Sequence, residues 1–451
     1  MVNKMKINAK RFLENLHTLK TFTDTPGEGV TRFSYGNQDR KAREYILKRA
    51  ENAGCTVSID ALQNIKIGLK SNKDGLPSVI AGSHIDTVRN GGWLDGIYGV
   101  CGALEVMETL SENLPGKPSE IQAKDLSNSA DAGRQFHQES EALHSSGSPY
   151  SCNYEMVIFA EEEGSGFGST MTGSKFIAGI YEESDLDKLK NDDDKTLRKV
   201  LEDTCGEKLS ANDIKNVLWD FDNIKTMLEL HIEQGPVLDR EGLSMGIVDS
   251  IFGMRVIEVT LTGIGNHAGA TPMNERYDAL CAAAECILTA EKIVKSDTDR
   301  RTVVTAGKME IQPNCSNVIP EKVKFTIEVR DKDEKKINKF TDGIIDSIKN
   351  IAAARKVSCN IKEHSKSAPL HLSDRLINSM SNRAESKKLS YKVMDSGAVH
   401  DACMIASHAD TGMIFVPSIN GRSHVPEEDT KEEDLICGCQ FLLDTVIDEL
   451  K

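Results

Sequence analysis

Residues 81–100 read AGSHIDTVRNGGWLDGIYGV. The apolar pair Val79-Ile80 ahead of them reads as the end of a strand. His84 and Asp86 come next, two residues apart, and Asp95 follows inside a turn that holds Gly91, Gly92, Gly96 and Gly99. A strand that ends by throwing an imidazole and a carboxylate into one glycine-lined bend suits a metal centre, because both groups bind Zn²⁺ at about 2.0–2.2 Å. Asp86 would then hold the ring of His84 in one tautomer. Taken alone, a His-x-Asp pair is as often a surface hydrogen bond, so the decision falls to the rest of the chain. A helix expected from about Val100 to Leu110 continues out of the turn. Strand, loop, helix, with functional residues at the carboxyl end of the strand, is how open α/β sheets place their sites.

The chain has 451 residues, room for two or three domains at about 150 residues each. With 39% hydrophobic and 28% charged residues it has the make-up of a soluble globular protein. A formal charge of −15 argues against nucleic acid or an anionic membrane surface as partner. No run of about 18 apolar residues is present to span a membrane, and MVNKMKINAKRFLENL lacks the apolar centre of a signal peptide. The eleven cysteines are scattered and none forms a Cys-x-x-Cys pair, which fits a reduced, cytoplasmic protein better than a disulfide or zinc-finger framework.

In chain order, 8–54 reads as two helices, followed by strands at 55–59, 64–69 and 78–83. Residues 113–153 turn polar and lose apolar periodicity, as in a surface insertion, and His137 and His144 within them are bystanders. The buried strand EMVIFA (155–160) then delivers Glu161-Glu162-Glu163, three carboxylates that repel one another unless something cationic sits among them. An acidic run is usually a solvated face, but here an apolar strand precedes it and the glycine-rich GSGFGSTMTGS follows. Residues 181–226 are charged and read as mostly helical, and LELHI (228–232) carries His231 into Glu233-Gln234-Gly235-Pro236. From 249 to 365 the expected order is strand, helix, strand, strand, helix, strand. That βαββαβ pattern predicts a ferredoxin-like α+β domain interrupting an α/β domain that spans 1–248 and 366–451. No internal repeat is present.

His84, Asp95, Glu163, His231 and His424 each lie at a strand end or in a glycine-bearing loop beside one. Three histidines and two carboxylates, one of them shared, would hold two metal ions about 3.5–4 Å apart. Glu162, next to a ligand, would be the general base. Arg330, at the end of a strand in EVRD, could clamp a carboxylate with its planar fork, or simply pair with Asp331. His267 lies in GNHAG, a small-residue loop from which an imidazole could polarise a carbonyl.

Together GSHIDTVRNGGWLDGIYGV, EEEGSGFGS, LHIEQGPVLD, NHAGATPMNERYDA, NCSNVIP, SGAVHDA and GRSHVPEE resemble the dinuclear amidohydrolases of the M20 metallopeptidase superfamily, in the branch of N-carbamoyl-L-amino acid hydrolases and allantoate amidohydrolases. The resemblance covers nearly the whole chain outside 113–153. It implies a zinc-exopeptidase-like catalytic domain, a mixed sheet flanked by helices, interrupted by a ferredoxin-like dimerisation domain. It implies one metal on His84, Asp95 and His231 and another on Asp95, Glu163 and His424, with Glu162 as base. Zinc leads among divalent ions, and Mn, Co or Ni also suit such donors. It places Gln234, His267, Asn317 and Arg330 on the substrate, a small ureido compound with a carboxylate. It further implies a homodimer in which His267 reaches the neighbour's metal centre. Within that branch an N-carbamoyl-L-amino acid is the expected substrate and allantoate the alternative. A dipeptidase or aminoacylase is a more distant reading, disfavoured by His231, Gln234 and Arg330, and a catalytically dead binding protein is disfavoured by the complete ligand set. Two positions depart from the family pattern, with Gly166 in place of an arginine and Val399 in place of the second glycine of SGAGHDA. Both bear on substrate identity rather than on the metals.

Overall fold

The computed structural model describes residues 5–113, 150–298 and 301–451. The expected insertion at 113–153 therefore lies almost wholly outside the described residues. The strands are β1 (Thr56–Ile59), β2 (Ile65–Gly68), β3 (Ser78–His84), β4 (Asn153–Phe159), β5 (Ile224–Ile232), β6 (Met245–Ile251), β7 (Gly253–Thr262), β8 (Val303–Thr305), β9 (Met309–Gln312), β10 (Lys322–Asp331), β11 (Ser358–Ser367), β12 (Leu370–His371), β13 (Tyr391–Ser396) and β14 (Asp410–Val416). The chain divides into two compact units. One comprises Met1–Asp249, Leu372–Met394 and His400–Lys451, the other Ser250–His371 and Asp395–Val399.

The first unit is built on a mixed sheet ordered β1-β2-β4-β3-β5-β14-β6, with β13 also paired to β6. Its centre is parallel: β3 runs parallel to β4 and to β5, and β14 parallel to β5. β1, β2 and β6 pair antiparallel at the flanks. All seven residues of β3 and the last seven of β5 are buried, as strands covered on both faces must be. The helix Ile97–Glu112 that leaves the glycine turn is buried along nearly its whole length. Its carboxylates Glu105 and Glu108 are buried with it, and Arg11 at 2.7 and 3.0 Å and Arg49 at 2.7 Å supply the countercharge.

At the starts of β5 and β14, Arg375, in the helix Asp374–Ser386, ties four elements together. It bonds both oxygens of Glu449 at 2.9 Å, Asp410 at 2.6 Å and Thr226 at 3.1 Å. Glu449 ends the C-terminal helix Glu432–Glu449, Asp410 opens β14 and Thr226 lies in β5.

The second unit carries an antiparallel sheet ordered β11-β7-β10-β8, with β9 also on β10. The helices Ala279–Lys295 and Glu334–Ala354 pack on one face. β10 alternates buried and half-buried residues along its length, and Val323, Phe325, Ile327 and Val329 point into the core with Ile257, Val259, Cys286 and Ile344. This is the ferredoxin-like βαββαβ order. The single strand expected at 302–310 is instead two, β8 and β9. From Thr305 to Met309 the edge takes four steps where β10 takes three, from Glu328 to Phe325, so an extra residue breaks the ladder at Gly307-Lys308 as a bulge does. Residues 181–226, expected to be mostly helical, form only short helical turns such as Leu197–Cys205 and Ala211–Lys215. The first starts at a Thr196 cap and stops at Gly206, which takes a left-handed backbone, and the second runs only from a Ser210 cap to Asn216.

Candidate dinuclear metal centre

Four parallel strands, β4, β3, β5 and β14, end on one side of the sheet, and each hands over polar groups there. His84 is the last residue of β3 and His231 the second-last of β5. Glu161-Glu162-Glu163 follow β4, and the loop after β14 carries His424. Asp95 lies one residue before Gly96, which starts the Ile97–Glu112 helix with φ +66°. A Cβ at Gly96 would stand 2.5 Å from the ring of His84, so glycine is needed both for the turn and for the imidazole.

His84, Asp95 and His231 can each offer a ligand atom within 4.8 Å of the others, and so can Asp95, Glu163 and His424. The shared residue is Asp95. Its Oδ1 is 3.2 Å from His231 Nε2 and its Oδ2 is 2.8 Å from His424 Nε2. Glu163 Oε1 is 3.6 Å from His424 Nε2 and is buried with no hydrogen-bond partner. An orphaned buried carboxylate oxygen among imidazoles is what a divalent cation would satisfy, and the nitrogen and oxygen donors fit one. Glu162 Oε2 stands 3.8 Å from His84 Nε2. A third group within the same distance is Glu229, His231 and His400. The ring of His400 sits edge-on to His231, their centroids 4.6 Å apart.

The histidine rings are oriented by main chain. His84 Nδ1 is 3.0 Å from the carbonyl of Asp86, and His231 Nδ1 3.0 Å from that of Ile232. The carboxylate of Asp86 is farther from His84, at 3.8 Å. It accepts instead from the amides of Glu162 and Glu163 at 3.2 and 3.0 Å, so Asp86 places the two glutamates as well as the histidine. Gln234, at φ +58°, donates its amide to both oxygens of Asp95 at 3.2 and 3.3 Å and lies 3.2 Å from His424 Nε2.

The electrostatics are those of a cation site. Burial, and after it the charges of Asp401, Glu163, Asp86 and Asp95, push the Glu162 carboxyl well above its usual range. Burial and then Asp95 do the same to Glu163. Burial would raise Asp95 too, but hydrogen bonds from His231 and His424 outweigh it and hold Asp95 well below that range. His231 is lowered by burial yet raised to about 9 overall, chiefly by its bond to Asp95.

Several contributors escape a reading of sequence alone. Glu428, 1% exposed, accepts from the amides of Leu94 and Asp95 with one oxygen and from Ser423 and His424 with the other. Its neighbour Glu427 pairs with Arg422 at the surface. Two adjacent glutamates in GRSHVPEE give no signal as to which turns inward. Glu229 accepts from Ser83 Oγ and the Ala402 amide. Buried Arg32 donates to the carbonyl of Ile85 at 2.6 Å, between His84 and Asp86. Glu161, first of the carboxylate run, turns away and accepts from the amides of Gly166 and Phe167 at 2.8 and 2.9 Å.

In the second unit, Arg330 bonds Glu328 through Nε at 2.5 Å and the carbonyl of Gly397 through Nη1 at 3.0 Å. The pairing with Asp331 is not formed. Asp331 accepts from Thr302 and from the Asp333 amide. His267 is exposed, and its Nδ1 accepts from the amides of Gly269 and Ala270 at 3.1 and 3.2 Å, which leaves the ring proton on Nε2. An isolated bridge, His267 to Val318, and the bond from the Ala268 amide to the Asn317 carbonyl set Asn317 beside it.

The fold and this set of donors define a member of a metallopeptidase-type hydrolase family. The chain belongs to peptidase family M20/M25/M40, whose model matches residues 140–448. More narrowly it is an amidohydrolase of the carbamoylase and allantoate branch. It is 32% identical to an N-carbamoyl-L-amino-acid amidohydrolase of Paenarthrobacter aurescens over 97% of each chain. It is 33% identical to the allantoate amidohydrolase of Escherichia coli over 95% of each. Identity to a ureidoglycolate hydrolase of Arabidopsis thaliana is also 33%, over 98% of this chain and 87% of the relative.

Proposed function

We propose that this protein hydrolyses the ureido C–N bond of N-carbamoyl-L-amino acids, releasing the amino acid, ammonia and CO₂. The observation that carries the reading is Asp95, whose two oxygens reach His231 and His424 at 3.2 and 2.8 Å and so join two donor sets into one centre. Two divalent cations there, zinc foremost, would supply Lewis acidity and bring the pKa of a water toward about 7. Glu162 takes a proton from the attacking water and returns it to the leaving nitrogen. Nε2–H of His267 is the donor for the developing oxyanion. Arg330 pairs with the substrate carboxylate, and Gln234 and Asn317 offer amide groups to its polar atoms. The working unit is a homodimer.

Allantoate has the same ureido group and a carboxylate for Arg330, and relatives acting on each substrate are about equally similar. Ammonia release by the zinc-loaded protein across a panel of N-carbamoyl-L-amino acids, allantoate and ureidoglycolate, with free amino acid release followed on dipeptides, tests the assignment. The highest kcat/KM is expected on a carbamoyl amino acid. A higher value on allantoate would move the protein to that substrate, and hydrolysis of dipeptides alone would overturn the ureido reading.

A further inference from the structure

We propose that Glu428 is a positioning residue for the second donor set, Asp95, Glu163 and His424, which it shapes by fixing the main chain of two of its members with one carboxylate. The inference rests on the dinuclear reading above and deepens it.

Asp95 and His424 come from loops more than three hundred residues apart in sequence. Glu428 lies between them. Its Oε1 accepts from Leu94 N at 2.8 Å and Asp95 N at 3.0 Å, and its Oε2 accepts from Ser423 Oγ at 2.7 Å and His424 N at 3.3 Å. Four donors on two oxygens are what allow a carboxylate to be buried. The fit leaves no slack. A Cβ at Gly92 would come within 1.9 Å of the Glu428 carboxyl carbon, so the glycine turn is shaped around this side chain.

The two donor sets depend on Glu428 unequally. In the first, His84 and His231 are oriented by carbonyls next to them in the chain, at 3.0 Å each, and only Asp95 meets Glu428. In the second, both Asp95 and His424 meet it. His424 also sits at φ +58°, a left-handed backbone that a non-glycine residue keeps only when its surroundings impose it. The bonds to Ser423 Oγ and His424 N are part of that imposition.

Glutamine at 428 separates geometry from bulk. Its one carbonyl oxygen can still serve the Leu94 and Asp95 amides, but its NH₂ then faces the His424 N–H, donor against donor. The second set should loosen while the first keeps its shape.

The test is Zn²⁺ binding to the chelator-stripped full-length protein, followed by calorimetry against a competing chelator. Wild type should take up two Zn²⁺. In Glu428→Gln one of the two affinities should fall roughly 10–100-fold, the range for losing a group that orients a ligand, with the other within about threefold. Ser423→Ala removes one bond on the same oxygen and should shift the same site by less. Glu427→Gln should leave both sites unchanged. The unfolding temperature of the stripped variants verifies that they are folded, and if Glu428→Gln does not fold, Ser423→Ala decides. Unchanged affinities, or equal losses at both sites, would overturn the positioning role. A wild-type protein that binds fewer than two Zn²⁺ would instead overturn the dinuclear reading on which it stands.

Discussion

Glu162 and Glu163 are adjacent and chemically identical, yet the roles proposed for them differ, and substitution should tell them apart. Glu162→Gln should keep both metals and lose activity by about 10²–10⁴-fold, the usual cost of removing a general base. Glu163→Gln or Asp95→Asn should lose metal, because each takes away a ligand oxygen. Metal analysis of the purified variants beside their ammonia release checks this, and an empty site in Glu162→Gln would show that base and ligand are exchanged. Arg330→Lys should raise KM for carboxylated substrates with a smaller change in kcat, because an ammonium cannot reproduce the two parallel bonds of the fork. Equal KM values in the two proteins would leave Arg330 with only its bonds to Glu328 and Gly397. At this scale the candidate donors that the structure brings together were legible in the sequence, because imidazole and carboxylate at strand ends are chemically distinctive. Glu428, Glu229 and Arg32 were not, since their work is to accept from or donate to main chain, and any buried polar residue can do that. The alternative weighed for Arg330, a pair with Asp331, fails on strand geometry. Successive residues of β10 point to opposite faces, so Glu328, two positions away, shares its face and Asp331 does not.

Elements announced themselves where their residues follow one rule throughout. EMVIFA and GMIFV are short, mostly apolar runs, and the structure has strands at each. β6, MGIVDSI, and β13, YKVMDS, mix glycine, serine and aspartate into the run, and only pairing in the sheet makes them strands. The link between Arg375, Glu449 and Asp410 gives the elements a dependence on pH. Burial works against ionisation of Glu449, but bonds from Arg375 and Thr226 outweigh it, and its pKa lies below the ordinary value. Asp410 is lowered in the same way by Arg375. A carboxyl with a folded pKa below its unfolded one stabilises the fold above the unfolded pKa, about 4, and ceases to do so as pH falls through the folded value. Arg375→Gln should therefore cost about 1–2 kcal/mol at pH 7, a figure kept low because the arginine is half exposed. The difference from wild type should shrink toward pH 3. Urea unfolding of both proteins at the two pH values measures it, and a difference independent of pH would mean that packing, not charge, links these elements.

For the whole molecule, the proposed dimer with His267 acting across the subunits makes a prediction that a self-contained monomer would not. Glu162→Gln and His267→Ala homodimers should each be inactive. In a mixed dimer one site carries both lesions and the other neither, so purified, differently tagged heterodimers should regain up to about half the wild-type activity per dimer. Verified heterodimers that stay inactive, while wild-type dimers handled identically are active, would place His267 in its own subunit's site or in none. The interrupted α/β architecture was legible because the periodicity changes near 249 and returns in the tail; the order in which strands enter the sheet was not, since pairing partners are not encoded in any one segment. That order has a consequence for how the protein is made. β14 lies between β5 and β6, although both leave the ribosome more than 150 residues before it. Until residue 416 has emerged, those two strands have no common neighbour and each keeps an unpaired edge in the middle of the future core. The nascent chain must carry that gap while the more than 150 residues in between are made, the state in which edges mispair and chaperones are recruited. His424 arrives later still, so the candidate metal centre can close only after β14 has been made.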